Sequence, residues 1–163
     1  MVNSKFLQEH KVVHVGPSAN IASFADLTTG NPATDIVNMS NWGRCTFIII
    51  KGAGAVGTAT ITVESCDTVV PGTATPIPFY YRKCSTIDTF GEWTFCGVAG
   101  FTMTAGADQI YEITVDDTFL YSTNKYVRLQ FTEVDSTATD GAVTAILTEP
   151  RHADYLNSPT AIV

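Results

Sequence analysis

Gly52, Gly54 and Gly57 stand in the order G-x-G-x-x-G, directly behind the apolar run Ile48 to Ile50, which is the spelling of a dinucleotide-binding turn. In such a turn the third glycine opens a helix whose N-terminal amides face the pyrophosphate, and an acidic residue about 20 positions on holds the ribose. Here the chain continues as Thr58-Ala59-Thr60-Ile61-Thr62-Val63-Glu64, and the β-branched residues in it cost a helix and favour a strand. Where the acid would be needed, the sequence reads Pro76-Ile77-Pro78-Phe79-Tyr80-Tyr81. The glycines therefore read as the tip of a hairpin, where positive φ values are tolerated, and no cofactor is expected.

Other reactive constellations fare no better. The three histidines, His10, His14 and His152, all fall in the terminal segments, so a catalytic triad would have to be assembled from the least regular parts of the chain. The nucleophile-elbow, zinc-protease and phosphate-loop spellings are missing. Asp116 and Asp117 are adjacent, and neighbouring carboxylates on a strand point apart, so a turn is expected there rather than an acid/base pair. Asp135 and Asp140 flank a loop without calcium-loop spacing. Cys45, Cys66, Cys84 and Cys96 are far apart and have no histidine close by in sequence, so buried free thiols are expected rather than a metal site. No nucleophile, base and orienting group can be named together, and the expectation is a protein that is not an enzyme.

The elements that would position any site read as strands. Gly57 to Glu64 alternates threonine with Ala59, Ile61 and Val63. Gln109 to Val115 sets Tyr111, Ile113 and Val115 on one face, and Lys125 to Val134 does the same with Val127, Leu129 and Phe131. Gly141 to Thr148 is a further β-branched run, and shorter strands are expected at Ile36 to Met39, Arg44 to Lys51, Ile77 to Lys83, Glu92 to Cys96 and Phe101 to Thr104. Turn-rich separators lie at 40–43, which holds Trp42, and at 70–76, 105–108 and 135–141. The pattern predicts an all-β, antiparallel sandwich of jelly-roll type over residues 36–148. Residues 1–35 are expected to form an N-terminal arm with a short helix over Ser4 to Lys11, and residues 149–163 a C-terminal arm.

Composition bounds the partners. Charged residues make up 15% of the 163, well below the usual quarter, and the net charge is -7 with basic residues scattered singly or in pairs. A phosphate-neutralising stripe is missing, so nucleic acid is not an expected partner. No run nears the roughly 18 apolar residues of a membrane span, and the N-terminus lacks the pattern of a secretory signal, which points to folding in a cytoplasm. Phe79, Tyr80 and Tyr81 cannot all face inward from one strand, so Tyr80, Tyr81 and Trp93 are candidates for exposed aromatics, either as a carbohydrate platform or as an interface.

The run from Val37 to Asp67 is similar to a pattern in small virion proteins of tailed bacteriophages. Met39, Asn41, Trp42 and Arg44, then Thr46, Phe47 and Ile48, then Gly57 to Glu64 carry the resemblance. That group resembles head decoration, or cement, proteins, which are sandwich modules on the outer capsid surface. The resemblance implies a structural virion protein made in the host cytoplasm, with the major capsid protein and itself, as a homodimer or homotrimer, for partners. The arms would then carry contacts through Phe6, Leu7, Tyr155 and Leu156. A tail or fibre component, or a carbohydrate-binding module, is the alternative.

Overall fold

Wherever apolar and polar residues alternate with a period of two, the chain forms a strand with one face buried. The structure, a computed structural model, describes residues 9–16, 26–52, 57–121 and 123–151. Its strands are β1 (His10–His14), β2 (Val37–Asn38), β3 (Trp42–Lys51), β4 (Ala59–Cys66), β5 (Ala74–Ile77), β6 (Phe79–Thr86), β7 (Thr89–Phe90), β8 (Thr94–Cys96), β9 (Phe101–Thr102), β10 (Gln109–Asp116), β11 (Tyr126–Glu133) and β12 (Gly141–Pro150). A short 3-10 turn, Asp117–Phe119, follows β10, with Asp116 capping it through a hydrogen bond from the Thr118 amide.

These strands form two antiparallel sheets. Sheet A has the order β1-β12-β3-β10-β6-β7, with β8 also on β6, and sheet B the order β2-β11-β4-β5, with β9 also on β4. The pairs β1·β12, β2·β11, β3·β10 and β4·β9 are successive rungs of one long hairpin, rolled so that the rungs alternate between sheets. That is the jelly-roll arrangement expected from the sequence. Strands β5 to β8 are an excursion at the closed end of the hairpin, and they widen both sheets.

The core lies between the sheets. Phe47 and Ile49 from β3, Tyr111, Ile113 and Val115 from β10, and Val143, Ala145 and Leu147 from β12 face Ile61 and Val63 from β4 and Val127, Leu129 and Phe131 from β11. One polar cluster interrupts it near the end of β3. Lys51 is 1% exposed and donates to the Thr104 carbonyl at 3.1 Å, while the Tyr111 hydroxyl donates to Gln109 Oε1 at 2.7 Å. Burial and the nearby Lys83 ammonium hold the Lys51 pKa below its ordinary value.

Several expectations change. Residues 1–8, including Ser4, lie outside the described residues; Glu9 is helical, as expected, but His10 and Lys11 belong to β1 and not to a helix. A helix of that length is marginal alone, whereas HKVVH gains a full ladder on β12 from His10↔Thr148 to His14↔Thr144. The sheet thus runs past the expected 36–148 boundary at both ends, since β1 and Pro150 are part of it. Residues 74–76, expected in a turn, join Ile77 as edge strand β5, and Trp42 is buried at the start of β3. Proline is tolerated in β5 because an edge strand leaves one side of its backbone unpaired.

The glycine stretch does lead into a strand, β4, but the expected hairpin is not there: β3 pairs with β12 and β10 in sheet A and β4 with β11 in sheet B, so the connection crosses from one sheet to the other, where both strands find longer ladders. Gly54 lies outside the described residues. Gly57 is required for a reason other than positive φ: a Cβ there would sit 2.1 Å from the Thr137 carbonyl oxygen. All four cysteines are free and buried; burial pushes the Cys66 thiol up to about 11 and raises that of Cys45 further.

Candidate functional site

In a half-buried antiparallel sheet the outward residues of neighbouring strands line up in rows across the strands, and their chemistry shows what the face meets. On sheet B the outward rows pair Thr60 with Thr132 and Thr102, Thr62 with Gln130, and Glu64 with Arg128. The Arg128 Nε to Glu64 Oε2 distance is 2.7 Å, and the Thr60 and Thr102 hydroxyls meet at 2.9 Å. It is a water-facing surface of hydroxyls, an amide and one ion pair.

Sheet A is different. Its outward rows run Ala142-Ile50-Ile110, then Thr144-Ile48-Glu112-Arg82, then Val12-Ile146-Thr46-Thr114-Tyr80-Phe95. Val12 is 55% and Ile50 49% exposed, and Ile48, Ile110 and Ile146 are half-buried. Three consecutive isoleucines, 48 to 50, make that half of β3 apolar on both faces, so Ile48 and Ile50 stand at outward positions where water would select polar residues.

Beside this strip the excursion β6 to β8 builds an aromatic edge. Tyr80, 41% exposed, meets Phe95 edge-on at 5.3 Å and Phe119 at 6.3 Å. Arg82 pairs with Glu112 at 2.5 Å, and its guanidinium lies 4.4 Å from the centre of the Phe90 ring and 4.6 Å from that of Trp93. This cation is held by a carboxylate and two ring faces.

A cleft of ≈ 430 Å³ opens between the aromatic edge and the end of β10, lined by Arg44, Tyr80, Trp93, Thr114, Asp116, Thr118 and Phe119. Its charged side chains are ordered by their neighbours. Arg44 reaches Glu149 at 2.8 Å and Asp116 at 3.5 Å. Burial raises the Asp116 pKa, but hydrogen bonds from Thr118 and the Arg44 charge outweigh it and hold the carboxyl below its ordinary value. Rings beside a fixed carboxylate and guanidinium suit a ligand with both apolar and hydroxylated faces.

Of the aromatics singled out by sequence, Tyr80 and Trp93 come together at this edge, Trp93 being 44% exposed. Tyr81 does not join them. It follows Tyr80 on β6 and turns to the opposite side, where it stacks on Phe101 with ring centres 4.0 Å apart and packs against the core. Phe6, Leu7, Tyr155, Leu156 and His152 lie outside the described residues. His10 and His14 alternate with Val12 on the outward side of β1. Sequence reasoning missed Arg82, Phe95 and Phe119, which are far apart in sequence, and it missed the outward isoleucines, for which the run Ile48-Ile49-Ile50 was the available signal.

No protein-family model matches the chain, and no curated protein matches it in sequence. Among solved structures the chain is similar to the crystal structure of the SPBc2 prophage-derived protein YomS, at 12% identity and a TM-score of 0.46, with 86% of this chain and 95% of that one covered. At that level the likeness carries no residue and no role across.

Proposed function

We propose that this is a structural, non-enzymatic phage virion protein, most specifically a head decoration protein that binds the outer capsid surface and stabilises the shell by bridging major capsid subunits. The observation that carries the reading is the outer face of sheet A, a broad apolar surface on an otherwise well-formed sandwich, of the kind that marks a contact site in soluble proteins. The resemblance of residues 37–67 to small virion proteins supports the same reading. Fold alone does not, since jelly rolls serve many roles.

Co-sedimentation tests it. Purified protein mixed with heads that lack it should pellet with them and raise the temperature at which they break open. Protein that never binds such heads would end the reading. Because β1 and Pro150 belong to the sheet, arm deletions should stop at residues 1–8 and 152–163, and these should weaken attachment without unfolding the domain.

A second reading has its own support. The cleft between Tyr80, Trp93, Asp116 and Arg44 suits a neutral saccharide, with ring faces for its C–H side and fixed polar groups for its hydroxyls. Glycan-array binding that is lost on Tyr80→Ala would favour it, and a blank array would remove it.

A further inference from the structure

We infer that the outer face of sheet A is where two copies of this chain pair about a two-fold axis, with β3 near the middle of the seam. The inference rests on the reading of that face as a contact surface and names its occupant.

Shape and continuity come first. Ile50 and Ile110 are cross-strand partners, Ile48 follows Ile50 two residues back on the same side, and Ile146 and Val12 continue the strip diagonally to the sheet edge. A two-fold axis sets the same patch against itself, so a continuous apolar strip is self-complementary without any matching surface elsewhere.

Area agrees. Five strands, β1, β12, β3, β10 and β6, lie side by side, and β3 and β10 stay in register over Gln109↔Lys51 to Asp116↔Arg44. At strand spacings near 4.8 Å and a rise near 3.4 Å per residue, that face measures about 650 Å². Two such faces give roughly 1,300 Å², inside the range of stable interfaces.

Charge selects the occupant. The chain carries -7 overall, so two copies repel over most of their surface. On this face the charges already neutralise one another within the chain, Arg82 with Glu112 in the row of Ile48 and Arg44 with Asp116 and Glu149 near the sheet's end, while Ile50 and Ile110 form the row on the far side of the Arg82–Glu112 pair. A strongly charged partner would meet only ions already paired, whereas a second copy meets its mildest field here. The edge-on aromatic cluster at Tyr80 and Phe95 adds rings and the Arg82 cation at the rim, residue types enriched where proteins meet.

Analytical ultracentrifugation of the full chain tests this, over concentrations from low to high micromolar. Wild type should sediment as a dimer. Ile48→Glu and Ile50→Glu should each weaken dimerisation by roughly a hundredfold or more, because a two-fold seam buries the unpaired carboxylate twice. Thr62→Glu and Thr132→Glu, outward on sheet B, should leave the dimer intact. A monomeric wild type, or a dimer that survives both isoleucine changes in folded protein, overturns the inference. Should either variant fail to fold, wild-type methyl spectra decide. Concentration-dependent shifts at Ile48, Ile50, Ile110 and Ile146 support the seam, and shifts confined to sheet B refute it. Monomeric protein that still coats heads would overturn the dimer and leave the proposed function standing. Dimeric protein that never binds heads would do the reverse.

Discussion

The two sheets of this sandwich are alike inside and unlike outside. Inward, both offer Val, Ile, Leu and Phe at every second position; outward, sheet B offers Thr62, Gln130 and the Glu64–Arg128 pair, while sheet A offers Ile48, Ile50, Ile110 and Ile146. The inner pattern is what folding demands of any half-buried sheet. The outer difference is not needed for folding, and so it reports on what each face meets afterwards.

If the asymmetry is confined to the outside, the largest effects should be symmetric. Phe47→Ala beneath sheet A and Phe131→Ala beneath sheet B should each cost about 3–5 kcal/mol in chemical denaturation. A gap between them of more than about 2 kcal/mol would put the asymmetry in the core.

The next effect sharpens the comparison, because each outer face has a cross-strand arginine–glutamate pair of similar geometry, sheet A carrying Arg44 with Asp116 and Glu149 besides. The Arg82–Glu112 pair on sheet A is flanked by the Phe90 and Trp93 rings; the Arg128–Glu64 pair on sheet B is not. Arg82→Ala should cost about 1–2 kcal/mol and Arg128→Ala about 0.5–1 kcal/mol. Equal losses would mean that the rings add nothing to the cation they surround.

Acid should not separate the faces, because the most perturbed carboxylate is on neither. Asp26 joins the segment before β2 to the β11–β12 connection. Burial pushes its carboxyl up, but bonds from Thr29, Thr28 and Thr139 outweigh this and lower it from 3.8 to about 2. The unfolded chain therefore binds more protons in that window, and the stability this group contributes is present above pH 3.8 and lost as pH falls toward about 2. Denaturation midpoints measured against pH should fall along that limb in wild type and flatten in Asp26→Asn. An unchanged slope would move the acid response to the other carboxyls held below their ordinary value, Asp116 on sheet A and Asp135 in the β11–β12 connection, and Asp116→Asn would then separate them.

The smallest effect is the most diagnostic. Thr62→Ile and Ile48→Thr exchange the chemistry of the two outer faces while keeping β-branched side chains, and in dilute protein each should shift stability by no more than about 0.5 kcal/mol in thermal melts. A larger loss for Ile48→Thr would show that this isoleucine packs within its own chain.

Much of this architecture was legible in sequence, because period-two alternation survives wherever one strand face is dry. Gln109 to Val115 and Lys125 to Val134 gave the buried sides of β10 and β11 correctly, down to Tyr111 and Phe131. Legibility failed where a strand depends on a distant partner. HKVVH holds too few residues to show a period, and what makes it β1 is β12 at the other end of the chain. Pro76 announced a turn where edge strand β5 holds it, whereas Pro71 does lie in the connection before that strand. At the site, adjacency in space hid Arg82, Phe119 and Phe95 from any spacing rule, and Tyr81 failed as an exposed ring because β6 turns it inward.

The rung that joins β1 to β12 also sets an order in time. A ribosome releases the chain from its N-terminus, yet His10 finds its partner only when Thr148 has been made, and closing so long a loop is entropically costly and slow. Until then the apolar side of β1, with Val13, has no ladder to join. In a cell, chaperones and neighbouring copies would meet that edge during synthesis. Of the described strands, the one made first is the one seated last.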